Sequence, residues 1–372
     1  MAAIAPSRSA PPRSVPVRSA PRAVSRSLPR PTWSQLALTV TLVGVFVMLT
    51  FAAPTAIGAD WDEVGRALRS VDLRWWPLLT LVWAAGLWAY GVVMTASMPG
   101  LSARRALSLN LGGSAVANSL PLGGAVSLGL TTAMARSWGF TARSVSTFLT
   151  LTNIWNVLSR LVFGVAAGLW FLTAGPGAMK GLTGLAVTAG VIVTISAVGA
   201  LLLRTRAVVR IGAVATLLHE AFRSRFRPSA RRRGEGELAR ALLSLRRQTG
   251  GLLRASWLQL TLGMTGYFVL LAALLALCLR SLGTTPSLML VLAAVGIERL
   301  VTALPITPGG AGAAELSLVA CLTAGGVSGV HALAAALLFR FFTYFAEIPV
   351  GAAVALGWHL QRTRVSRIEP IA

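Results

Sequence analysis

The sequence predicts an all-α polytopic membrane protein with about six full spans and two re-entrant hairpins that are broken by proline and glycine. The first observation is composition: of 372 residues, 55% are hydrophobic and only 12% are charged, with a mean hydropathy of +0.71. Such a chain cannot build the polar surface of a soluble protein. The second observation is a set of six uninterrupted apolar runs, and the third is two apolar regions interrupted at their centres.

Charge and the rarer side chains exclude several functional classes. The formal net charge of +23 comes from 34 basic and 11 acidic residues. The basic residues lie in tails and loops between apolar runs rather than on a folded, water-facing surface, so we expect no nucleic-acid binding. Cys278 and Cys321 lie inside apolar stretches, and the three histidines are far apart. We therefore expect no disulfide framework, no metal site and no cofactor.

The order of segments along the chain predicts one membrane domain with polar ends. Residues 1–34, rich in Arg, Pro and Ser, have almost nothing to bury, and we predict a disordered cytoplasmic arm. A transmembrane domain follows over 35–361, with a basic cytoplasmic loop at 204–254 and a cytoplasmic tail at 362–372. Each uninterrupted run is long enough to cross a bilayer; the predicted spans are 36–53, 75–97, 145–172, 182–203, 255–279 and 331–360. A cleaved signal peptide is the alternative for the first run, which the long preceding arm disfavours.

Two apolar regions, 106–136 and 288–324, are broken at their centres. The first breaks at Pro121, Gly123 and Gly124, and the second between Pro305 and Gly310. Such breaks free backbone polar groups that lipid cannot satisfy, so the broken backbone must face protein or a wet cavity. We predict two re-entrant hairpins, each returning to its own side of the membrane. The alternative is two ordinary pairs of short helices joined by exposed turns.

Basic residues indicate the topology, because cytoplasmic loops collect Lys and Arg. With six spans and both termini inside, twenty-six basic residues lie on the cytoplasmic side, thirteen of them in the loop 204–254, and five lie outside. In this topology the first hairpin enters from the inside and the second from the outside.

The two halves of the chain carry an internal likeness. Leu120-Pro121 is followed by a Gly-Gly-Ala sequence, and so is Leu304-Pro305. Downstream, Asn153 and Arg160 correspond by spacing to Arg340 and Glu347, and both pairs are seven residues apart, which places each pair on one helical face. Three spans separate the hairpins, so the repeats are predicted to be inverted, a transporter design with its substrate site between the repeats. Chance similarity of two breaks is the alternative.

Six charged residues fall inside apolar segments and sum to zero charge: Arg160, Glu298, Arg299, Glu315, Arg340 and Glu347. A charged side chain facing lipid costs a few kcal/mol, so these residues should point inward and pair, or contact water or a ligand. Together with Pro305, Gly309 and Gly310 of the second break, they form the predicted substrate-binding site. The alternative is a set of structural ion pairs, such as Arg340 with Glu315 or Glu347, and for Glu347 we favour it.

The chemistry of the predicted site suits an anion. A guanidinium pairs with phosphate in bidentate geometry, so Arg160 and Arg340 are candidates for phosphate binding. The half-helix that begins near Ala311 adds free amides and a positive dipole end. Asn118, Asn153 and Asn156 are candidate polar contacts from the first half, although such residues often only bridge helices.

These motifs resemble a known family. Residues 118–125 read Asn-Ser-Leu-Pro-Leu-Gly-Gly-Ala, and residues 304–312 read Leu-Pro-Ile-Thr-Pro-Gly-Gly-Ala-Gly. With Glu315 and Arg340, they resemble the lysylphosphatidylglycerol synthase transmembrane region, a flippase-like domain of bacterial membrane proteins. The likeness covers roughly 36–360, and the motif carries over onto Pro305, Pro308, Gly309, Gly310, Gly312, Glu315 and Arg340. The first break departs from it at Val126 and Ser127.

The resemblance implies a location in the inner membrane of a bacterial cell. It also implies movement of an aminoacylated phospholipid across the bilayer, after a C-terminal soluble domain has attached the amino acid. This chain ends at Ala372 without that domain, so we expect no enzyme activity. We predict a flippase-like protein that translocates or binds a phospholipid or polyprenyl-linked head group, anionic or aminoacylated, in a mid-membrane charged cavity. The alternatives are a non-transporting subunit that recruits a lipid-modifying or sugar-transferring partner enzyme, and an integral-membrane transferase.

Overall fold

The computed structural model describes residues 60–120, 123–174, 235–302 and 310–368, with side chains over 60–120, 123–166, 252–302 and 310–362. Several predictions lie outside these ranges. They are the arm 1–34, the spans 36–53 and 182–203, most of the basic loop, and the residues Pro121, Pro305, Pro308 and Gly309. The described backbone is helical with no strand, as the all-α prediction requires.

The helices follow one another through short connections. A short surface helix α1, Trp61–Arg69, precedes the long helix α2, Trp75–Ser97. The first broken region forms α3, Ala103–Ser119, and α4, Gly123–Ser137, and a long helix α5 spans Ala142–Ala174. After residue 234, α6 runs over Glu235–Ser281. The second broken region forms α7, Leu288–Val301, and α8, Ala313–Ala324. The chain closes with α9, Gly329–Arg340, a π-helical turn, Phe341–Phe345, and α10, Glu347–Ile368.

Four segments of the described chain are long and apolar enough to cross a membrane. They are Trp75–Ser97, Ala142–Ala166, Leu252–Ser281 and Gly329–Arg362. Each coincides with one of the predicted spans, and the fourth is α9, the π turn and the start of α10 in continuation. Their lipid-side faces carry exposed large side chains such as Trp88, Leu262 and Leu356. The chain is therefore a multi-pass membrane protein.

Both broken regions fold back as helical hairpins. In hairpin 1, α3 packs on α4, with Gly113 close to the Ser127 and Thr131 hydroxyls. In hairpin 2, α7 packs on α8, and Gly325 at the end of α8 lies against Leu290. Gly123 donates its N–H to the Leu120 carbonyl at 2.8 Å, and a Cβ there would clash with the backbone of Val116 and Ala117. The glycine that follows the first break is thus required by the tightness of the reversal.

The long helices that precede the hairpins are antiparallel. Gly86 of α2 lies against Leu270 of α6, whereas Val93, later in α2, lies against Gly263, earlier in α6. Hairpin 1 therefore enters the bundle from the end where α2 finishes, and hairpin 2 from the opposite end, where α6 finishes. The Trp358 indole fixes the first arrangement by donating to the Ser137 Oγ at 2.9 Å.

The two halves also pack reciprocally. Hairpin 2 lays α7 along α5, where a Cβ at Gly164 would lie 2.8 Å from the Gly296 carbonyl oxygen. Hairpin 1 lays α3 along α10, where Gly351 abuts the Leu111 carbonyl in the same way. The separation of Gly164 and Gly351 in the chain equals that of Arg160 and Glu347. The packing thus agrees with two inverted repeats in the same register as the sequence likeness.

Close approach at Gly351 should be sensitive to a single methyl group. A Cβ at this position would overlap the Leu111 backbone, which belongs to a rigid helix and cannot move aside. We predict that Gly351→Ala lowers the free energy of unfolding by about 1–3 kcal/mol, the usual effect of overpacking. Gly357→Ala, on the same helix with open space around it, is the control and should be neutral or slightly stabilising. Thermal unfolding of both variants in detergent tests this, and equal stabilities would contradict it.

Candidate functional site

The end of α7 carries two deeply buried charges. Glu298 is fully buried and Arg299 is 7% exposed. The Arg299 guanidinium donates from Nε and Nη2 to both oxygens of the Glu298 carboxylate. Arg340, at the end of α9, places its Nη1 3.7 Å from Glu298 Oε1. One carboxylate thus serves two guanidinium groups in an apolar bundle, where an unpaired charge would be strongly destabilising.

Glu315 completes this cluster from the first turn of α8. Its Oε1 accepts from Arg340 Nε at 2.8 Å, and its Oε2 accepts from the Gly312 N–H at 2.6 Å. The second contact caps the N-terminus of α8. We expected this helix end to be open to a ligand anion. In the structure the chain's own carboxylate occupies it, because Glu315 stands three residues after the cap.

Two glycines shape the entry into α8. Gly310 and Gly312 have φ values of +71° and +85°, which side-chain-bearing residues rarely adopt. A Cβ at Gly310 would also lie 2.7 Å from Thr302 Cγ2. The backbone on the two sides of the second break is therefore close, which brings α7 and α8 together at the tip of hairpin 2. Of the predicted break residues, Gly310 lies at the cluster, and Pro305 and Gly309 are outside the described ranges.

Arg160 reaches the tip of hairpin 2 from α5. Its Nε donates to Asn156 Oδ1 at 2.9 Å, and its Nη1 donates to the carbonyl and hydroxyl oxygens of Thr302 at 3.0 and 3.2 Å. All three acceptors are neutral, and no carboxylate among the described side chains lies within ion-pair distance of this guanidinium. Arg299 and Glu298 act on Arg160 only through longer-range electrostatics. Arg160 is therefore a positive charge held in place by neutral groups.

Glu347 lies apart from this cluster, on the side of hairpin 1. Its carboxylate is beside Ser114 of α3 and Trp83 of α2, with Arg299 and Arg340 at longer range. The expectation that Arg340 and Glu347 share one helical face assumed an uninterrupted α-helix. The π turn at Phe341–Phe345 lies between them and changes the helical phase, so Arg340 faces hairpin 2 and Glu347 faces hairpin 1. Within the described ranges no ion pair holds Glu347, although a structural pair was favoured for it.

Tyr344, in the π turn, connects the cluster to hairpin 1. The Arg340 guanidinium lies over its ring at 4.8 Å, and its hydroxyl donates to the Asn118 carbonyl at 2.7 Å. Asn118 thus contributes its backbone rather than its amide. Asn153 is exposed and donates to Leu149 of its own helix. Neither Tyr344 nor Thr302 was singled out from the sequence, since a lone aromatic and a lone threonine in apolar helices carry no distinguishing pattern.

The structure therefore brings five of the six predicted charges to hairpin 2: Glu298, Arg299, Glu315, Arg340 and Arg160. The first four neutralise one another, with Arg340 shared between two carboxylates. Arg160 and Glu347, which correspond in the sequence likeness, lack ion-pair partners among the described side chains and have opposite charges. The arrangement can accept a phosphate at one position and a cation at the other.

Stability should depend unequally on the two carboxylates that contact Arg340. Glu298→Gln leaves Arg299 and Arg340 without the negative charge that they share in a fully buried place, and we predict a loss of about 3–5 kcal/mol of unfolding free energy. Glu315→Gln keeps an oxygen for the cap and is 13% exposed, so its loss should be smaller. Thermal unfolding in detergent compares the two variants. A Glu298→Gln protein as stable as the Glu315→Gln protein would contradict the shared-acceptor arrangement.

Comparison with known proteins identifies the family of the chain. No curated protein matches the chain. The family described as "Lysylphosphatidylglycerol synthase TM region" matches residues 35–351. That range includes α1 to α9, the π turn, the first five residues of α10, both hairpins and the six charged residues of the apolar segments. The chain therefore belongs to the lysylphosphatidylglycerol synthase transmembrane region family.

Proposed function

We propose that this protein binds the charged head group of a membrane lipid and moves it across the bilayer through the charged cluster between the hairpins. The observation that carries the proposal is Arg160, a guanidinium inside the bundle whose described partners are all neutral. A half-buried charge inside an apolar helix bundle is unfavourable unless an opposite charge arrives. The family to which the chain belongs is named for lysylphosphatidylglycerol, a phospholipid. This supports a lipid head group as the source of the opposite charge.

The hairpins supply the path in this proposal. Their helices have 12 to 17 residues, or about 18–26 Å of length at 1.5 Å per residue. Each is shorter than the hydrocarbon core of about 30 Å. Hairpins of this length that enter from opposite ends would be re-entrant and would place their tips inside the membrane. Broken backbone at that depth needs a wet or protein-lined environment, which a passing head group could use.

Different residues would bind different parts of the head group. Arg160 would bind the phosphate, and Glu347 would attract an ammonium or other cationic part on the opposite side. Arg340 would exchange one ion-pair partner for the head group, because its guanidinium already contacts two carboxylates, Glu298 at 3.7 Å and Glu315 at 2.8 Å. A phosphate could replace one of these contacts without leaving the guanidinium unpaired. We also propose that the protein has no enzymatic step of its own, since translocation forms and breaks no covalent bond.

A second candidate has its own support. Glu298, Arg299, Glu315 and Arg340 pair with one another and have a formal charge of zero together, as ion pairs that only hold helices together would do. The protein would then be a non-transporting membrane subunit that recruits or regulates a partner enzyme acting on lipids. For either candidate we propose that both termini lie in the cytoplasm, on the basis of the arginine distribution. The resemblance of the sequence motifs is the basis for proposing the bacterial inner membrane.

Lipid exchange between leaflets separates the two candidates. The purified chain is reconstituted into vesicles with head-group-labelled phosphatidylglycerol or phosphatidylethanolamine, and exchange is followed by chemical quenching of the outer leaflet. We predict that Arg160→Gln slows exchange of both lipids by about 10–100-fold, because one charge-assisted hydrogen bond contributes about 1.5–3 kcal/mol. Arg280→Gln, an exposed arginine at the end of α6, is the matched control and should exchange at the wild-type rate.

The role of Glu347 has a separate readout in the same vesicles. Glu347→Gln should slow exchange of phosphatidylethanolamine, which carries an ammonium, and leave phosphatidylglycerol exchange unchanged. Thermal unfolding of each variant shows that the fold is intact. Wild-type exchange no faster than in protein-free vesicles, over a broad panel of lipids, would favour the subunit candidate. Normal exchange by a folded Arg160→Gln protein would remove the charged-site mechanism.

A further inference from the structure

One end of the helix bundle is strongly basic. Six exposed arginines surround the end at which hairpin 1 enters, and we call them the arginine rim: Arg104, Arg105, Arg136, Arg143, Arg254 and Arg362. The described side chains at this end include no acidic residue. The opposite end carries four exposed arginines, Arg66, Arg69, Arg74 and Arg280, beside four exposed acids, Asp60, Asp62, Glu63 and Asp72. The described side chains at that end therefore have a formal charge of zero, whereas the six arginines of the rim have no acidic residue beside them among the described side chains.

Tryptophans hold parts of the rim in place. Arg105 lies over the Trp138 ring at 5.3 Å, and Arg362 lies over the Trp358 ring at 5.8 Å. Trp358 is itself tied to hairpin 1 through its hydrogen bond to Ser137. Such amphipathic rings belong at the level of lipid head groups. Stacking on them keeps the guanidinium groups at that level with their remaining N–H groups free to bind.

Large apolar side chains lie directly below the rim on the same helices. Within two turns of Arg254, Trp257 and Leu258 are 49% and 50% exposed, and Leu356 and Leu360 beside Arg362 are 58% and 50% exposed. A basic residue above an exposed apolar one fits a phospholipid, whose phosphate and acyl chains have the same order. A soluble acidic partner would match the arginines but would leave this apolar surface in contact with water.

We propose that the arginine rim is a binding surface for the phosphates of anionic phospholipids in one leaflet, distinct from the buried charged cluster. Bound lipid neutralises the positive charge of the arginine rim and occupies the surface around hairpin 1. The surface would concentrate anionic lipid where this hairpin enters the bundle. The proposal does not require translocation, since it concerns lipid retained at the protein border.

Lipid retention by the purified full chain tests this inference. The protein in detergent is incubated with equal amounts of phosphatidylglycerol and phosphatidylcholine, and bound lipid is counted by native mass spectrometry. The wild type should retain more phosphatidylglycerol, and added salt should weaken that preference. The triple variant R104Q/R105Q/R143Q should lose at least about tenfold in apparent affinity for phosphatidylglycerol, in line with the removal of three charges near the phosphates. The matched triple variant R66Q/R69Q/R280Q at the opposite end should bind like the wild type.

Further control experiments distinguish the reasons for which lipid retention could be lost. Inorganic phosphate in excess should leave the lipid bound, because it has no acyl chain for the apolar surface; displacement by phosphate would overturn the lipid assignment. Arg160→Gln should retain lipid normally, so that loss of transport and loss of rim binding are distinguishable. If the triple variant unfolds at a lower temperature, the single variants R104Q and R143Q replace it. Equal retention of both lipids by the wild type, or unchanged retention by the folded rim variants, would overturn the proposal.

Discussion

The packing of α9 against hairpin 2 depends on one buried carboxylate. Glu298 is fully buried and contacts the guanidinium groups of Arg299 and Arg340, which come from two different helices. In an apolar bundle each of these charges would be destabilising alone, so the cluster fixes how α9 lies against hairpin 2. Arg340 extends the same constraint to Glu315 and, through the Tyr344 ring, toward hairpin 1. The positions of both hairpins thus depend on charges that compensate one another.

Close backbone contact provides the second constraint. Gly164 and Gly351 each lie where a long helix crosses the first helix of the hairpin from the other half, and the absence of a side chain there allows the close contact. The reciprocal crossings place the tips of the hairpins next to different sides of the charged cluster, one with Arg160 and the other with Glu347. Opposite charges at corresponding positions make the site asymmetric although the helices around it repeat. Under the proposed function, that asymmetry favours a head group with both kinds of charge over a simple anion.

Hydropathy predicted the helices well because span length and apolar composition are local properties. The four described spans, both hairpins and the family were all accessible from the sequence, and the pairing of Arg340 with Glu315 was one of its stated alternatives. The helical face on which Glu347 lies could not be predicted from the sequence. The π turn at Phe341–Phe345 changes the helical phase, and it contains no proline or glycine that would indicate it. The cap formed by Glu315 and the Thr302 contacts of Arg160 also depend on tertiary geometry, which no periodicity records.

The central claim is that the tips of the two hairpins and the charges between them lie at mid-membrane depth. Electron paramagnetic resonance can measure this depth with spin labels at Ser119, at the tip of hairpin 1, and at Ser317, one turn into α8, in a chain whose Cys278 and Cys321 are replaced by alanine. We expect both labels to lie deep in the hydrocarbon, about 15 Å from either surface of a core of about 30 Å. A label at either position that reports head-group depth would contradict it.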